Sequence, residues 1–216
     1  MIAPWKFHCE NLHIQFDANF CHERLSLKIF DALSFLPKEA IVRQKMLLTI
    51  SKMHSTCYSD DDFIVSHEVI LKVMIELDAV HYYFPILAIV DAPHSITRGA
   101  FLGYTKHIGE VKFDNTLIHF HMEGIDNNIQ FDLSPSDVEE ILLLPHLTYR
   151  NYRTPDFEAK GLSVIDIQDH IASPVSKCTS RAVNLPFLDR CGITPISPCK
   201  IGMVSDSFTV KGASYV

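Results

Sequence analysis

The sequence predicts an α+β fold: an antiparallel sheet with a central three-stranded meander, packed against several helices and followed by an irregular C-terminal extension. Three observations carry this expectation. Residues 100–133 contain runs rich in β-formers whose side chains alternate in one consistent pattern. Stretches on either side space their apolar residues as amphipathic helices do. From Ala172 onward, Pro174, Pro186, Pro195 and Pro198 break up any long periodic run.

Taken in order, residues 5–16 start as a strand, with Leu12, Ile14 and Phe16 alternating with His13 and Gln15. Residues 22–35 carry apolar positions 25, 29, 32, 33 and 36, a helical spacing. Pro37 suits the start of a second helix, Lys38–Met53, with Ile41, Met46, Leu47, Leu48 and Ile50 inward. Ser55–Asp62 is a loop whose three consecutive Asp residues form a solvated acidic turn. Phe63–His81 carries two signals. Val69, Leu71, Val73, Ile75 and Leu77 alternate like a strand, while Glu68, Lys72 and Glu76 recur every four residues, like one helix face. Its length and the preceding acidic run favour a helix. Tyr82–Val90 is a buried strand in which Pro85 belongs at an edge or at the beginning.

Asp91, His94, Ser95 and Arg98 follow that strand in a loop and offer a nucleophile, a base and a cation. No nucleophile-elbow glycines accompany them, so a polar connector is expected.

In the meander, Asp114-Asn115 marks a two-residue turn. The expected pairing sets Val111 opposite Ile118 and Glu110 opposite His119. A second pairing sets Met122 opposite Ile129 and His119 beside Asp132. One face then carries Val111, Ile118, Phe120, Met122, Ile129, Phe131 and Leu133. The other carries Glu110, Lys112, His119, His121, Gln130 and Asp132. Ser134, Pro135 and Asp137 next form a helix start, running to about Leu144. The chain divides into an α+β domain over 1–160 and a largely irregular, Pro-containing extension over 161–216. That extension is too apolar to float free, so it packs on the domain or on a partner.

The net charge of −7 is uneven: residues 1–148 hold 11 Lys+Arg against 20 Asp+Glu, and residues 149–216 hold 8 against 6. An acidic body disfavours non-specific nucleic-acid binding. No apolar run is long enough for a membrane helix, and residues 1–13 lack the apolar core of a secretion signal. A soluble, cytoplasmic protein is expected, with no membrane partner. The six Cys include no Cys-x-x-Cys pair, so free thiols are expected. The loose grouping of His8, Cys9, His13, Cys21 and His22 has no zinc-site spacing, and neither do Cys178, Cys191 and Cys199.

The chain lacks Gly-x-Gly-x-x-Gly, a P-loop and His-Glu-x-x-His. The leading functional expectation is therefore a non-enzymatic binding or structural subunit of a larger assembly. It would meet a protein partner, or copies of itself, through the aromatic–basic segment Tyr149, Arg150, Tyr152 and Arg153 and through the extension. That reading needs no cofactor. The alternative is a metal-dependent hydrolase in which His119 and His121 bind zinc or another divalent ion, with Glu110 or Asp132 as third ligand or base. A third reading is a nucleic-acid-associated subunit using the same Arg/Tyr patch.

Overall fold

Strands form most of the chain in its computed structural model, which describes residues 4–56, 63–114, 116–138, 140–154 and 157–216. The first strand, β1 (Trp5–Phe20), leads through helix α1 (Leu27–Ser34) to β2 (Ile41–Thr56), β3 (Phe63–Leu77) and β4 (Val80–Val90). Helix α2 (Pro93–Leu102) and the short β5 (Lys106–Ile108) follow. Next come β6 (Val111–Asp114), β7 (Leu117–Met122) and β8 (Ile125–Val138). The remainder comprises β9 (Leu147–Thr154), β10 (Phe157–Ala172), β11 (Ser176–Asn184), α3 (Phe187–Arg190), β12 (Ile193–Pro195) and β13 (Lys200–Tyr215).

All these strands join one sheet, with the order β5-β4-β3-β2-β1-β13-β11-β8-β7-β6; β10 also pairs with β13, β9 with β10, and β12 with β1. Pairing is antiparallel except where β5 runs parallel to β4. Strand β13 is the branch point, bonded to β1, β10 and β11.

The central strands are covered on both faces, and the two coverings differ in chemistry. One face is apolar. Leu12, Ile14 and Phe16 of β1, Met46, Leu48 and Ile50 of β2, and Val69, Leu71 and Val73 of β3 join Phe120, Phe131 and Phe187 in the larger core. Burying a side chain of this kind stabilises by roughly 1.5–3 kcal/mol. The opposite face begins apolar, with Trp5, Phe7, Met53 and Ile70 in a second core. It then turns polar: Asn11, His13, Gln15, Thr49, Ser51, Glu68 and Lys72 are all buried there.

The helix-packed α+β expectation is thus corrected to a large, mostly antiparallel sheet with few helices. The helix expected over 22–35 contracts to α1, capped by the Ser26 hydroxyl, which accepts from the Ile29 amide at 3.4 Å. The helices expected over 38–53 and 63–81 are β2 and β3. Strands buried on both faces lose polar alternation and read as continuous apolar runs, which mimic buried helices. The β3–β4 hairpin turns at Asp78 and Ala79, both with positive φ, an uncommon use of Ala that carries no sequence signal. The expected helix from Ser134 is instead the end of β8, paired with β11. The extension expected to be irregular forms β10, β11 and β13, three long strands of the same sheet.

The meander is present as β6–β7–β8. Both registers differ from those expected by even steps: Val111 faces Phe120, and Met122 faces Ile125 across the Glu123-Gly124 turn. An even shift keeps every side chain on its face. Val111, Ile118, Phe120, Met122, Ile129 and Phe131 are accordingly buried, while Leu133 is exposed. Asn115 of the first turn and the acidic run 60–62 lie outside the described residues.

Candidate active site

The polar half of the inner face converges on Lys106. The ladder registers set His13, Thr49, Ile70, Ala88 and Lys106 in one row across β1, β2, β3, β4 and β5. The neighbouring row runs Asn11, Ser51, Glu68 and Val90. Lys106 stands at the edge of the sheet, and its stem leans inward, where its ammonium meets Glu68 in an ion pair. Both side chains are almost fully enclosed, at 8% and 6% exposure. Ser95 completes the triangle, its Oγ accepting from Lys106 Nζ at 3.2 Å and donating to Glu68 Oε2 at 3.4 Å.

Helix α2 supplies Ser95, Arg98 and Gly99 on its buried face. Residues i, i+3 and i+4 share a face, so one helix delivers a hydroxyl, a guanidinium and a gap. The Arg98 guanidinium lies 4.5 Å over the Phe7 ring and donates to Ser55 Oγ at 3.0 Å. Gly99 is the gap, occupied by the Lys106 stem. Burial lowers the Lys106 pKa; Glu68 opposes this shift and Arg98 adds to it.

A second buried amine lies two turns of the pleat beyond Glu68 on the same face. Lys72 Nζ donates to Thr49 Oγ1 at 2.9 Å and lies 3.2 Å from His146 Nε2. Burial brings its pKa down to about 8. Its ladder partner on β4 is Pro85, reached through a bulge, which re-aims the local side chains. His146 is fixed by its backbone: Tyr83 N–H donates to Pro145 O at 2.9 Å, and Ile165 N–H donates to His146 O at 3.1 Å. The other ring nitrogen of His146 lies 2.5 Å from Tyr104 Oη. The His13 ring, at 3.1 Å from Thr49 Oγ1, is held neutral by burial and by Lys72, its pKa lowered to about 3.

A groove of about 750 Å³ opens beside this row, over Cys9, Lys52, His54, Phe63 and Asp206. Asp206 links it to the interior. Its Oδ1 accepts from Asn11 Nδ2 at 3.1 Å, and Asn11 Oδ1 accepts from Ser51 Oγ at 2.5 Å, one strand from Glu68. Burial raises the Asp206 carboxyl above the usual range.

The residues singled out from the sequence lie elsewhere, with two exceptions. Ser95 and Arg98 of the post-strand segment point into the site. Asp91 of the same segment instead binds His67, accepting from its amide at 2.7 Å, and His94 is half-buried with its pKa lowered by burial. On the outer face of the meander, Glu110 pairs with Lys112 at 2.5 Å, His121 with Asp126 at 2.8 Å, and Asp132 with Arg181 at 2.5 Å; His119 is exposed. Among the described residues, no three His, Cys, Asp or Glu are placed to share a metal ion. Tyr149 stacks on Phe35 at 4.3 Å, and Arg150 donates to Phe101 O at 3.1 Å and Ala213 O at 3.2 Å. Arg153 is exposed beside Glu158, and the side chain of Tyr152 lies outside the described residues. Cys9, Cys178 and Cys191 are buried free thiols, and Cys21 and Cys199 are exposed.

No protein-family model matches the sequence, and no curated protein matches it. Solved structures do share the fold. The enduracididine biosynthesis enzyme MppR, complexed with the condensation product of pyruvate and imidazole 4-carboxaldehyde, superposes with a TM-score of 0.71 at 14% identity, covering 99% of this chain and 89% of that one. An acetoacetate decarboxylase-like enzyme from Sphingomonas wittichii gives 0.71 at 14%, covering 100% and 94%. Acetoacetate decarboxylase from Legionella pneumophila gives 0.71 at 13%, covering 100% and 88%. The chain has the acetoacetate decarboxylase-like fold. The expectation of a non-enzymatic structural subunit is corrected by this likeness, since these three solved chains, which cover 99–100% of this one, are enzymes. No helix among the described residues is long and apolar enough to cross a membrane.

Proposed function

We propose that the protein is an enzyme whose Lys106 amine attacks the carbonyl of a small oxo acid and forms a Schiff base. The observation that carries this reading is the enclosed Lys106–Glu68–Ser95 triangle. A lysine is a nucleophile only as the free amine, and burial is the means of holding it near that state at neutral pH. Glu68 takes one proton from the Lys106 ammonium, with Ser95 bridging the transfer. The freed amine bonds to the carbonyl carbon while one of its own protons passes to the carbonyl oxygen. Glu68 then gives its proton to the carbinolamine hydroxyl, which leaves as water. The resulting iminium draws electrons from the bond next to it, so a neighbouring carbon loses carboxylate or a proton and becomes an enamine.

The donors of the site suit an acidic substrate. Among the described residues, the Lys72 amine, the Arg98 guanidinium and the Lys106 amine are enclosed on the side of the sheet that holds Glu68, and each can donate to a carboxylate. The names of the structural neighbours, which act on acetoacetate or are complexed with pyruvate, point to the same substrate class.

Borohydride reduction in the presence of acetoacetate or pyruvate, followed by peptide mass spectrometry, tests the reading. A reduced adduct on Lys106, absent from Lys106→Met, is expected. Recovery of unmodified Lys106, or of an adduct on Lys72 alone, overturns it.

A further inference from the structure

The same site contains a chain of hydrogen bonds that the Schiff-base chemistry leaves unused. It runs Tyr104 Oη, His146 Nδ1, His146 Nε2, Lys72 Nζ, with links of 2.5 Å and 3.2 Å, and ends on Thr49 Oγ1 at 2.9 Å. Its other end lies at Lys106, whose Nζ is 5.4 Å from the centroid of the Tyr104 ring. Lys72 and Tyr104 are buried; the His146 ring is enclosed, although the residue as a whole keeps some surface. Among the described residues, no carboxylate forms an ion pair with Lys72. A buried ammonium with only neutral partners is costly to keep, and a methionine of similar length would fill the same space.

Donor and acceptor counting allows two arrangements. When Lys72 is an ammonium, it donates to Thr49 Oγ1 and His146 Nε2. His146 then carries its proton on Nδ1 and donates it to Tyr104 Oη, so the tyrosine hydroxyl proton points away. When Lys72 is a free amine, its lone pair accepts from His146 Nε2–H. His146 Nδ1 is then bare and accepts the tyrosine hydroxyl. The imidazole is neutral in both arrangements.

We propose that Lys72, His146 and Tyr104 form a proton relay that delivers one proton to the carbon beside the Lys106-bound carbonyl. The destination rests on the Schiff-base reading; the relay itself does not. One proton passes from Lys72 Nζ to His146 Nε2, the Nδ1 proton passes to Tyr104 Oη, and the Tyr104 hydroxyl proton passes to the enamine carbon. The enamine electron pair forms the new C–H bond, and its nitrogen becomes an iminium. Lys72 ends neutral and is reprotonated from water. No other member of the relay changes charge.

The groups facing the relay fit this task. Glu68 on the same strand and Asp206 on β13 favour the Lys72 ammonium, while burial and Lys106 oppose it, leaving its pKa at about 8. Burial, with Lys72 and His13, holds His146 well below the usual imidazole range, so it shuttles a proton without becoming imidazolium. Burial and Glu68 raise Tyr104, so it passes a proton without resting as phenolate.

Two measurements on the full chain test the relay. The first is ¹⁵N NMR of histidine-labelled protein from pH 6 to 10, with His146 assigned from a His146→Gln variant. His146 is expected to pass from the Nδ1–H to the Nε2–H tautomer near pH 8 without gaining charge, and Lys72→Met is expected to abolish the passage. A single tautomer throughout, or an imidazolium, overturns the relay. The second is exchange of the pyruvate methyl protons in D₂O. Tyr104→Phe keeps the ring over Lys106 and should retain the borohydride-trapped adduct, yet slow exchange about 10²-fold or more. Exchange at the wild-type rate overturns the relay. A tautomer passage in a wild-type protein that traps no adduct retains the relay and removes the Schiff-base reading.

Discussion

Gly99 and Lys106 occupy each other's space: a methyl group on Gly99 would lie 2.8 Å from Lys106 Cδ and 2.9 Å from its Cε. Gly99→Ala must therefore displace the amine. Displacement of about 1 Å at a reacting centre lowers turnover about 10²-fold. Alanine also improves the helix by up to about 1 kcal/mol. The expected variant is much slower yet no less stable, as read by steady-state kinetics beside thermal unfolding. Full activity would show that the lysine stem is not held by this gap.

Gly103, four residues on, should respond in the opposite way. It ends α2 with φ +86°, and a methyl there would meet Thr148 Oγ1 and the Tyr149 backbone at 2.9 Å. Left-handed backbone costs a residue other than glycine about 1–3 kcal/mol. Gly103→Ala is expected to lose at least that much in urea unfolding.

Glu68→Gln removes the charge that supports the Lys106 ammonium. Because Glu68 raises the Lys106 pKa, its loss lowers it further. The pH midpoint for acetylation of Lys106 by acetic anhydride should move to lower pH. Stability should fall by about 3 kcal/mol at neutral pH, the usual cost of breaking a buried pair. That loss should shrink at higher pH, as the amine sheds its proton.

Lys72→Met tests the second amine through linkage. The folded pKa of about 8 lies below the ordinary 10.5, so the fold disfavours the charged form. Below pH 8 the ammonium is present in both folded and unfolded chains, and the whole burial penalty applies. Between pH 8 and 10.5 the unfolded chain holds more protons, so wild-type stability rises with pH. The advantage of Lys72→Met over wild type should accordingly narrow across that window in denaturant titrations. A constant difference would contradict a buried, titrating Lys72.

The double variant His119→Ala, His121→Ala alters the exposed face of β7. Stability should change by no more than about 0.5 kcal/mol, and borohydride trapping on Lys106 should be unchanged. Loss of trapping would mean that these histidines serve the site.

Local patterning was legible wherever one sheet face meets water. The meander's faces could be read because Phe120 and His121 alternate between core and solvent. Lys72 could not be placed, because it interrupts a strand apolar on both sides and mimics an exposed helical position beside Glu68 and Glu76. Such a charge within a near-continuous apolar run was nevertheless the signal available for the site. Ser95 and Arg98 stood out as chemistry-bearing letters without showing where α2 would aim them. Lys106 follows a helix and a turn with no motif, and it becomes significant only when β5 lies parallel to β4 and faces Glu68. His146 depends on a backbone clamp between distant strands, for which no local sequence carries a mark.

The branch strand β13 also governs how this protein comes into being. Asn11 and Asp206 bond across 195 positions of sequence. At ribosomal rates of about 5–20 residues per second, β1 must wait roughly 10 to 40 s before that partner is made. During that interval an apolar strand edge is bare, an invitation to pair with other nascent chains. Closure of the sheet between β1 and β13 is therefore a late event, and yield in the cell should depend on holdase chaperones more strongly than the stability of the finished fold would suggest.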